Sequence, residues 1–362
     1  MKELRISPEL TLPLNAVTST FAFLGQRGSG KSNCSVVFAE EMFAHGLPFV
    51  VVDPIGSWRG LRSSACGKKP GLAIPIFAAV DTGGDVGVEP NQGKWLAELI
   101  AEHRLTCIVD VSEFEPSVRL NFLADFAQRL YETNRRPLHV FLEECDDYIP
   151  QRLMKGTQRV VAAFENIVRR GRARGLGATF ITQRSASINK GVLTQVETLF
   201  AMRTTGPHDQ RAIAEWVKYN GARTDLLASL PHLKTGEAWC WSPSWLGVCK
   251  RFMAIRRRTF DTGATPSVYE EAKPAEVRAE VDTDFLQAAV NNKPCVVTLS
   301  LDDLVAQAAR HKKETTAVRY LAKHNLLPSS GSGDRDVKPE NERTWPVLLF
   351  IGLFILVSVA AM

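Results

Sequence analysis

The chain is short of the features that mark exported or small cross-linked proteins. Its 7 cysteines, at positions 34, 66, 107, 145, 240, 249 and 295, are odd in number and scattered, with no C-x-x-C spacing among them. This spacing excludes a zinc ribbon or a disulfide framework and predicts a reducing compartment. The opening Met-Lys-Glu-Leu-Arg-Ile has no apolar core of the kind that starts a secretory signal. An excess of one charge is also lacking. A net +5 over 362 residues does not mark a nucleic-acid binder by composition, so any such surface must be local. No internal repeat is present, which sets aside solenoids and propellers. Hydrophobic residues at 45% with charged residues at 23% set aside disorder for most of the chain and allow one large or two ordinary domains.

What is present begins at Gly25-Gln26-Arg27-Gly28-Ser29-Gly30-Lys31-Ser32, which satisfies G-x-x-x-x-G-K-S/T at each fixed position. A β-branched and aromatic run, Thr18 to Leu24, precedes it, and a helical pattern, Lys31 to His45, follows. Strand, glycine loop and helix together are the context that makes this a phosphate-binding P-loop. Glycines 25, 28 and 30 let backbone N–H groups turn toward a polyphosphate at the positive end of the helix. Lys31 can then reach the β and γ phosphates of ATP, and the Ser32 hydroxyl can coordinate Mg²⁺, with Asn33 closing the loop.

Further along, Pro48 to Gly56 reads as a strand buried on both faces and closed by a turn, which implies a parallel sheet. Residues 56–90 read as an irregular excursion with one small strand at Leu72 to Phe77. Strand and helix patterns then alternate, with helices near 92–104, 117–134 and 156–171. The strands between and after them are Thr106 to Val111, Leu138 to Leu142, Ala178 to Thr182 and Thr198 to Arg203. This rhythm predicts an α/β fold, a mainly parallel sheet flanked by helices. Glu237 to Trp241 and Val248 to Ile255 are expected as an antiparallel edge of the same sheet, and Leu10 to Leu14 as a short leading β segment.

A P-loop enzyme needs a strand-end carboxylate for Mg²⁺ and usually a second acid to polarise water. Val140-Phe-Leu-Glu143-Glu144 ends in two adjacent acids, and strand alternation can aim Glu143 at the metal and Glu144 at the γ phosphate. The alternative is a solvated acidic turn with Asp146 and Asp147; Asp110 ends a competing strand and stays a strand-end residue near the site. Gln183, closing the next strand, is a candidate to sense the γ phosphate or position water, or else an ordinary surface amide. The cluster Arg169-Arg170-Gly-Arg172-Ala-Arg174 has three readings. It can offer an arginine finger to a neighbouring subunit, bind DNA phosphates, or complement a helix C-terminus. Arg203 is a further finger candidate.

Taken in order, the P-loop, Val52-Asp-Pro-Ile-Gly-Ser-Trp-Arg-Gly-Leu61, Phe141-Leu-Glu-Glu144, Arg170-Gly-Arg-Ala-Arg174-Gly, Ile181-Thr-Gln-Arg184 and Thr198-Leu-Phe-Ala-Met-Arg203 resemble the HerA branch of the HerA/FtsK ATPases. The likeness extends over residues 9–266, through Leu233-Lys-Thr-Gly-Glu-Ala-Trp and Arg258-Thr-Phe-Asp-Thr. It implies a RecA-like core, a homo-oligomeric, hexameric ring, and movement of double-stranded DNA at the expense of ATP. By the same resemblance Lys31 and Ser32 hold phosphate and Mg²⁺, Glu143 is the metal-side acid, Glu144 the catalytic base and Gln183 the sensor. Glu143 departs from the family's commoner Asp.

The expected domain plan is an ATPase core at 1–266, a helical appendage at 267–327, a flexible linker at 328–344 and a membrane helix at 345–362. In the appendage, Ser300 to His311 and Thr316 to Leu326 read as two helices, either a packing hairpin or a helix-turn-helix. Trp345 to Met362 is uncharged and nearly all apolar; as a helix it covers about 27 Å, enough to span a bilayer with little to spare. Lys338 and Arg343 before it favour a single-pass anchor with the ATPase in the cytoplasm, or on a virion's internal membrane. The leading reading is a membrane-tethered DNA-translocating or packaging ATPase. The alternatives are a Zot-like phage assembly or secretion ATPase acting on protein, and a regulatory NTPase switch. Removing residues 345–362 is expected to move the protein from the membrane pellet to the soluble fraction with its circular dichroism unchanged; continued pelleting of the truncated chain would place the anchor elsewhere.

Overall fold

The computed structural model describes residues 3–218, 224–263, 274–284 and 286. All lie in one compact unit, Met1–Cys295. Thr11–Pro13 (β2) falls within the leading β segment expected at Leu10 to Leu14, and it pairs antiparallel with a strand not expected from the sequence, Glu3–Arg5 (β1). The main chain of elements is Thr20–Leu24 (β3), Lys31–Ala44 (α1), Phe49–Asp53 (β4), Ile76–Ala79 (β5), Val86–Val88 (β6), Gly93–His103 (α2) and Cys107–Asp110 (β7). It continues with Pro116–Thr133 (α3), Leu138–Leu142 (β8), Thr157–Arg170 (α4), Leu176–Thr182 (β9), Lys190–Leu193 (α5) and Thr198–Met202 (β10). Pro207–Lys218 (α6), Thr224–Ser229 (α7), Glu237–Ser242 (β11) and Val248–Met253 (β12) complete it.

Ten strands form one sheet in the order β12-β11-β10-β3-β9-β8-β4-β7-β5-β6. Among the described residues the antiparallel pairings of this sheet are β10 with β11 and β11 with β12, which is the expected edge. Strands β4, β8 and β9 are buried along their whole length, as parallel strands covered on both faces are; β4 is apolar up to Asp53, whereas β8 also buries His139 and β9 buries Thr179 and Thr182. Helix α1 packs on one face against Phe21, Phe23, Phe49, Phe141 and Phe200, with Phe38 of the helix at the centre. The opposite face is covered by α2, α3, α4 and α6 through Leu96, Phe122, Phe126, Phe164 and Ile213.

Registers Leu24↔Thr182, Leu142↔Phe180, Val52↔Leu142 and Asp53↔Asp110 bring the C-terminal ends of five parallel strands to one edge. The P-loop strand does not touch the acid-bearing β8 directly. Strand β9 is inserted between them, so Gln183 stands between the P-loop and the two glutamates. This mainly parallel sheet, flanked by helices with a P-loop at its C-terminal edge, is the architecture of a RecA-like core.

Three features differ from the sequence expectation. The excursion at 56–90 contains two parallel strands rather than one, because Val86-Gly87-Val88 is too short to show periodicity. Helices α6 and α7 follow β10 although their polar starts, Pro207-His-Asp and Thr224-Asp, conceal them; only a few apolar residues such as Ile213 and Val217 are buried. Packing also continues past residue 266: Arg62 donates to the Ala279 carbonyl, and the Glu276 and Val277 amides donate to the Gly67 carbonyl at 2.9 and 3.0 Å. The helices expected at 300–311 and 316–326, the linker at 328–344 and the membrane segment at 345–362 lie outside the described residues. Among the described residues no helix is long and apolar enough to cross a membrane.

Candidate active site

The glycine loop is fixed by sterics before any ligand is considered. Gly28 and Gly30 have φ of 72° and 98°, the left-handed region, and Gly30 caps α1. A Cβ on Gly30 would stand 2.7 Å from the Gly236 nitrogen, so only glycine fits there. The Gly236 amide donates to the Ser29 carbonyl at 2.8 Å, the Thr235 hydroxyl to Gly28 O at 3.1 Å, and the Gln26 amide to Arg203 O at 2.9 Å. Thr205 donates through its amide and hydroxyl to Gln26 Oε1, at 3.0 and 2.6 Å. Arg27 and Ser32 are exposed, and the Ser29 hydroxyl is buried without a partner. Lys31 is buried; its Nζ lies 3.4 Å from the Gln26 carbonyl. Burial lowers its pKa, and the charges of Glu144, Glu143 and Asp146 oppose that shift. A buried cation at a helix N-terminus, next to turned-in amides, suits the phosphates of ATP.

The two acids just beyond β8 point different ways. Glu143 turns inward, only 1% exposed, and its Oε2 accepts from the Trp58 indole at 2.7 Å. Burial pushes its carboxyl up to about 8, with Asp53 and Glu144 adding to the shift and Trp58 and Lys31 opposing it. Glu144 takes a left-handed backbone, φ 39°, which is rare for a residue with a side chain and costs conformational energy. That twist delivers its carboxylate to Gln183, whose Nε2 donates to Oε1 and whose amide donates to Oε2 at 3.4 Å. Asp146 accepts from the Thr182 hydroxyl at 2.5 Å. With Ser32 hydroxyl and Glu143 carboxylate as donors, the set is all oxygen and suits Mg²⁺; a cation there would favour the ionised Glu143.

Asp110 is already engaged, paired with Arg59 at 2.5 Å and bonded by the Ser112 hydroxyl at 2.6 Å. Two residues escaped notice in the sequence except as part of the resemblance. Asp53, buried with its carboxyl raised to about 6 by burial, accepts from the amides of Ile55, Gly56 and Trp58. It thereby shapes the turn that aims Trp58 at Glu143. The Asp-Pro-x-Gly turn at a strand end was the available signal.

Arg203 lies across the P-loop of its own chain, donating to Gly28 O at 3.1 Å. Arg172 and Arg174 precede β9, so they sit at the N-terminal edge of the parallel strands, about 20 Å along the sheet from the P-loop of the same chain. Arg172 pairs with Glu197 at 3.1 Å; Arg174 stacks on Tyr131 at 4.2 Å and donates to the Tyr131 and Glu132 carbonyls at the end of α3. The side chain of Asn33, a residue expected at the nucleotide, holds the segment after β12: it donates to Ile255 O at 2.8 Å and accepts from the Arg257 amide at 3.0 Å. Two turns further along α1, Glu40 accepts from the Arg258 and Thr259 amides and from the Thr259 hydroxyl at 2.7 Å.

No family model matches the chain. A probable helicase of Methanocaldococcus jannaschii is 34% identical over 103 residues, 28% of this chain and 19% of the relative. The DNA double-strand break repair helicase HerA of Pyrococcus furiosus is 28% identical over 152 residues, 40% of this chain. The chain is HerA-like. It spans 19% and 26% of the length of these two relatives, so the likeness concerns a part of each. Among solved structures, the genome packaging NTPase B204 of Sulfolobus turreted icosahedral virus 2 in complex with ATP-γS aligns with TM-score 0.45 and 12% identity, over 66% of this chain and 98% of that one. VirB4 of Thermoanaerobacter pseudethanolicus gives 0.44 and 13%, over 75% and 96%, and the bacterial conjugative coupling protein TrwB 0.46 and 10%, over 77% and 92%.

Two outcomes follow from the acids. Below pH 4.5 Glu143 is protonated folded and unfolded alike; above it the unfolded chain ionises while the fold holds the proton, so stability falls as pH rises through about 8. Asp53 contributes in the same sense only up to about 6. Between pH 6 and 8, free of nucleotide and divalent ions, Glu143→Gln should lose about 2 kcal/mol less stability to denaturant than the parent. Equal losses would place the Glu143 carboxyl in an ordinary environment. Glu144→Gln should keep ATP binding while turnover falls about 10² to 10⁴-fold, because the amide is isosteric but accepts no proton; near-parental turnover would move the base to another residue.

Proposed function

We propose that the chain is an ATP-hydrolysing motor that translocates or packages double-stranded DNA as a ring of identical subunits, tethered to a membrane by residues 345–362. The observation that carries the ATPase reading is the Glu144 carboxylate held by Gln183 beside a buried P-loop lysine. Lys31 and the turned-in amides bind and orient the phosphates, Glu144 takes the proton of the attacking water, and Gln183 sets the direction of Glu144. Ser32 and Glu143 would hold Mg²⁺, which would supply neutralisation of phosphate charge. Support for DNA as the substrate comes from the likeness to HerA, a repair helicase by name, and from the ordered motifs in the sequence.

In this reading Arg203 acts within its own chain on the P-loop, whereas Arg172 and Arg174, at the far edge of the sheet, are available to a neighbouring subunit or to DNA phosphate. The cytoplasmic side of a cellular membrane, or the inner face of a virion membrane, is the proposed location. The test is ATP turnover with and without linear duplex DNA. Turnover should rise several-fold with DNA, and Lys31→Ala should lower it at least about a hundredfold. Hydrolysis indifferent to DNA would sink the DNA reading and favour an assembly ATPase acting on protein, or a switch.

A further inference from the structure

On the face of the sheet opposite α1, a cleft of about 340 Å³ opens between α5 and α6, at the small end of the about 300–1,000 Å³ range of ligand pockets. Its walls are Leu193, Ala212 and Trp216, and Lys190 and Glu215 stand at its mouth. These two charges pair with each other at 3.2 Å, so the mouth presents no net charge. Trp216 is held in place by Trp241, ring centroids 4.7 Å apart. One polar group of the lining stands apart: Ser185 is only 2% exposed and its hydroxyl has no partner. Buried hydroxyls are almost always paired, so an orphan on a cavity wall marks where a ligand atom belongs.

Ser185 also lies two residues beyond Gln183, the contact of Glu144, and the Ala186 amide after it donates to Asp209 of α6 at 2.8 Å. The loop that carries the sensor and the helix that walls the cleft are therefore tied together. We propose that the cleft binds a small neutral molecule with a flat apolar body and a single amide or hydroxyl head bonded to Ser185, and that its occupancy changes how Gln183 reaches Glu144. The apolar walls and Trp216 take the body, the orphan hydroxyl takes the head, and the paired mouth disfavours an ion. The binding stands by itself; the effect on turnover rests on the ATPase reading.

The experiment uses the full chain, free of nucleotide, and fluorobenzamide as the probe at millimolar concentration, followed by fluorine NMR. Its signal should broaden with protein, Ser185→Ala should weaken binding about fivefold, the worth of one hydrogen bond, and Ala212→Phe should fill the cleft and abolish it. Fluorotoluene, which lacks the head, should bind without regard to Ser185. No broadening, or broadening that Ser185→Ala leaves unchanged, overturns the site. Under saturating fluorobenzamide the turnover of the parent should shift and that of Ser185→Ala should not; an unshifted parent overturns the link to Gln183 while the binding data stand. A chain with no turnover at all would fail the ATPase reading and leave the NMR result untouched.

Discussion

One buried ammonium governs the arrangement of the site. Lys31 is removed from water, which lowers its pKa, and the carboxylates of Glu144, Glu143 and Asp146 around it oppose that shift. A cation so placed is costly alone and valuable with anions around it, which is the condition of a phosphate site. The acids are themselves too many for one lysine. The fold relieves that excess by burying Glu143 with a proton and an indole N–H, and by turning Glu144 away to an amide. The strand order serves this division, since β9 separates the P-loop from β8 and supplies Gln183 at the gap.

The parts legible in the sequence are those fixed by local sterics or by long apolar runs. The P-loop glycines were readable because positive φ and close backbone approach leave little else possible at Gly28 and Gly30. The interior strands β4, β8 and β9 are legible by their largely apolar runs, and the pair 143–144 by two adjacent acids at a strand end. Long-range partners left no such trace. Nothing local says that Trp58 meets Glu143 across 85 positions, or that Asn33 is taken by Ile255 across 222. The parallel edge strand β6 and the polar-fronted α6 were concealed for the same reason: their stability comes from neighbours, not from their own pattern.

Arginine placement shows how position along a strand decides chemistry. Four arginines in six residues suggest a single cluster, yet Arg172 and Arg174 find different partners, an acid on β10's approach and the carbonyls ending α3. Arg203, at the other end of its strand, reaches the P-loop. The run thus divides between two partners at the N-terminal edge of the strands, while Arg203 serves the P-loop from the C-terminal edge.

The clamp of Asn33 and Glu40 on residues 255–259 has a mechanical meaning. Helix α1 carries the phosphate loop on its first turn, and the outgoing chain is bonded along that same helix at Asn33, Glu40 and Glu41. Tension on the chain leaving β12 therefore has one route through the helix that grips the nucleotide, beside the contacts of Phe260 with Ser63 and of residues 276–279 with Arg62 and Gly67. A pull from that side is felt as a shear along α1, parallel to its axis, where several hydrogen bonds share the load at once rather than peeling one after another.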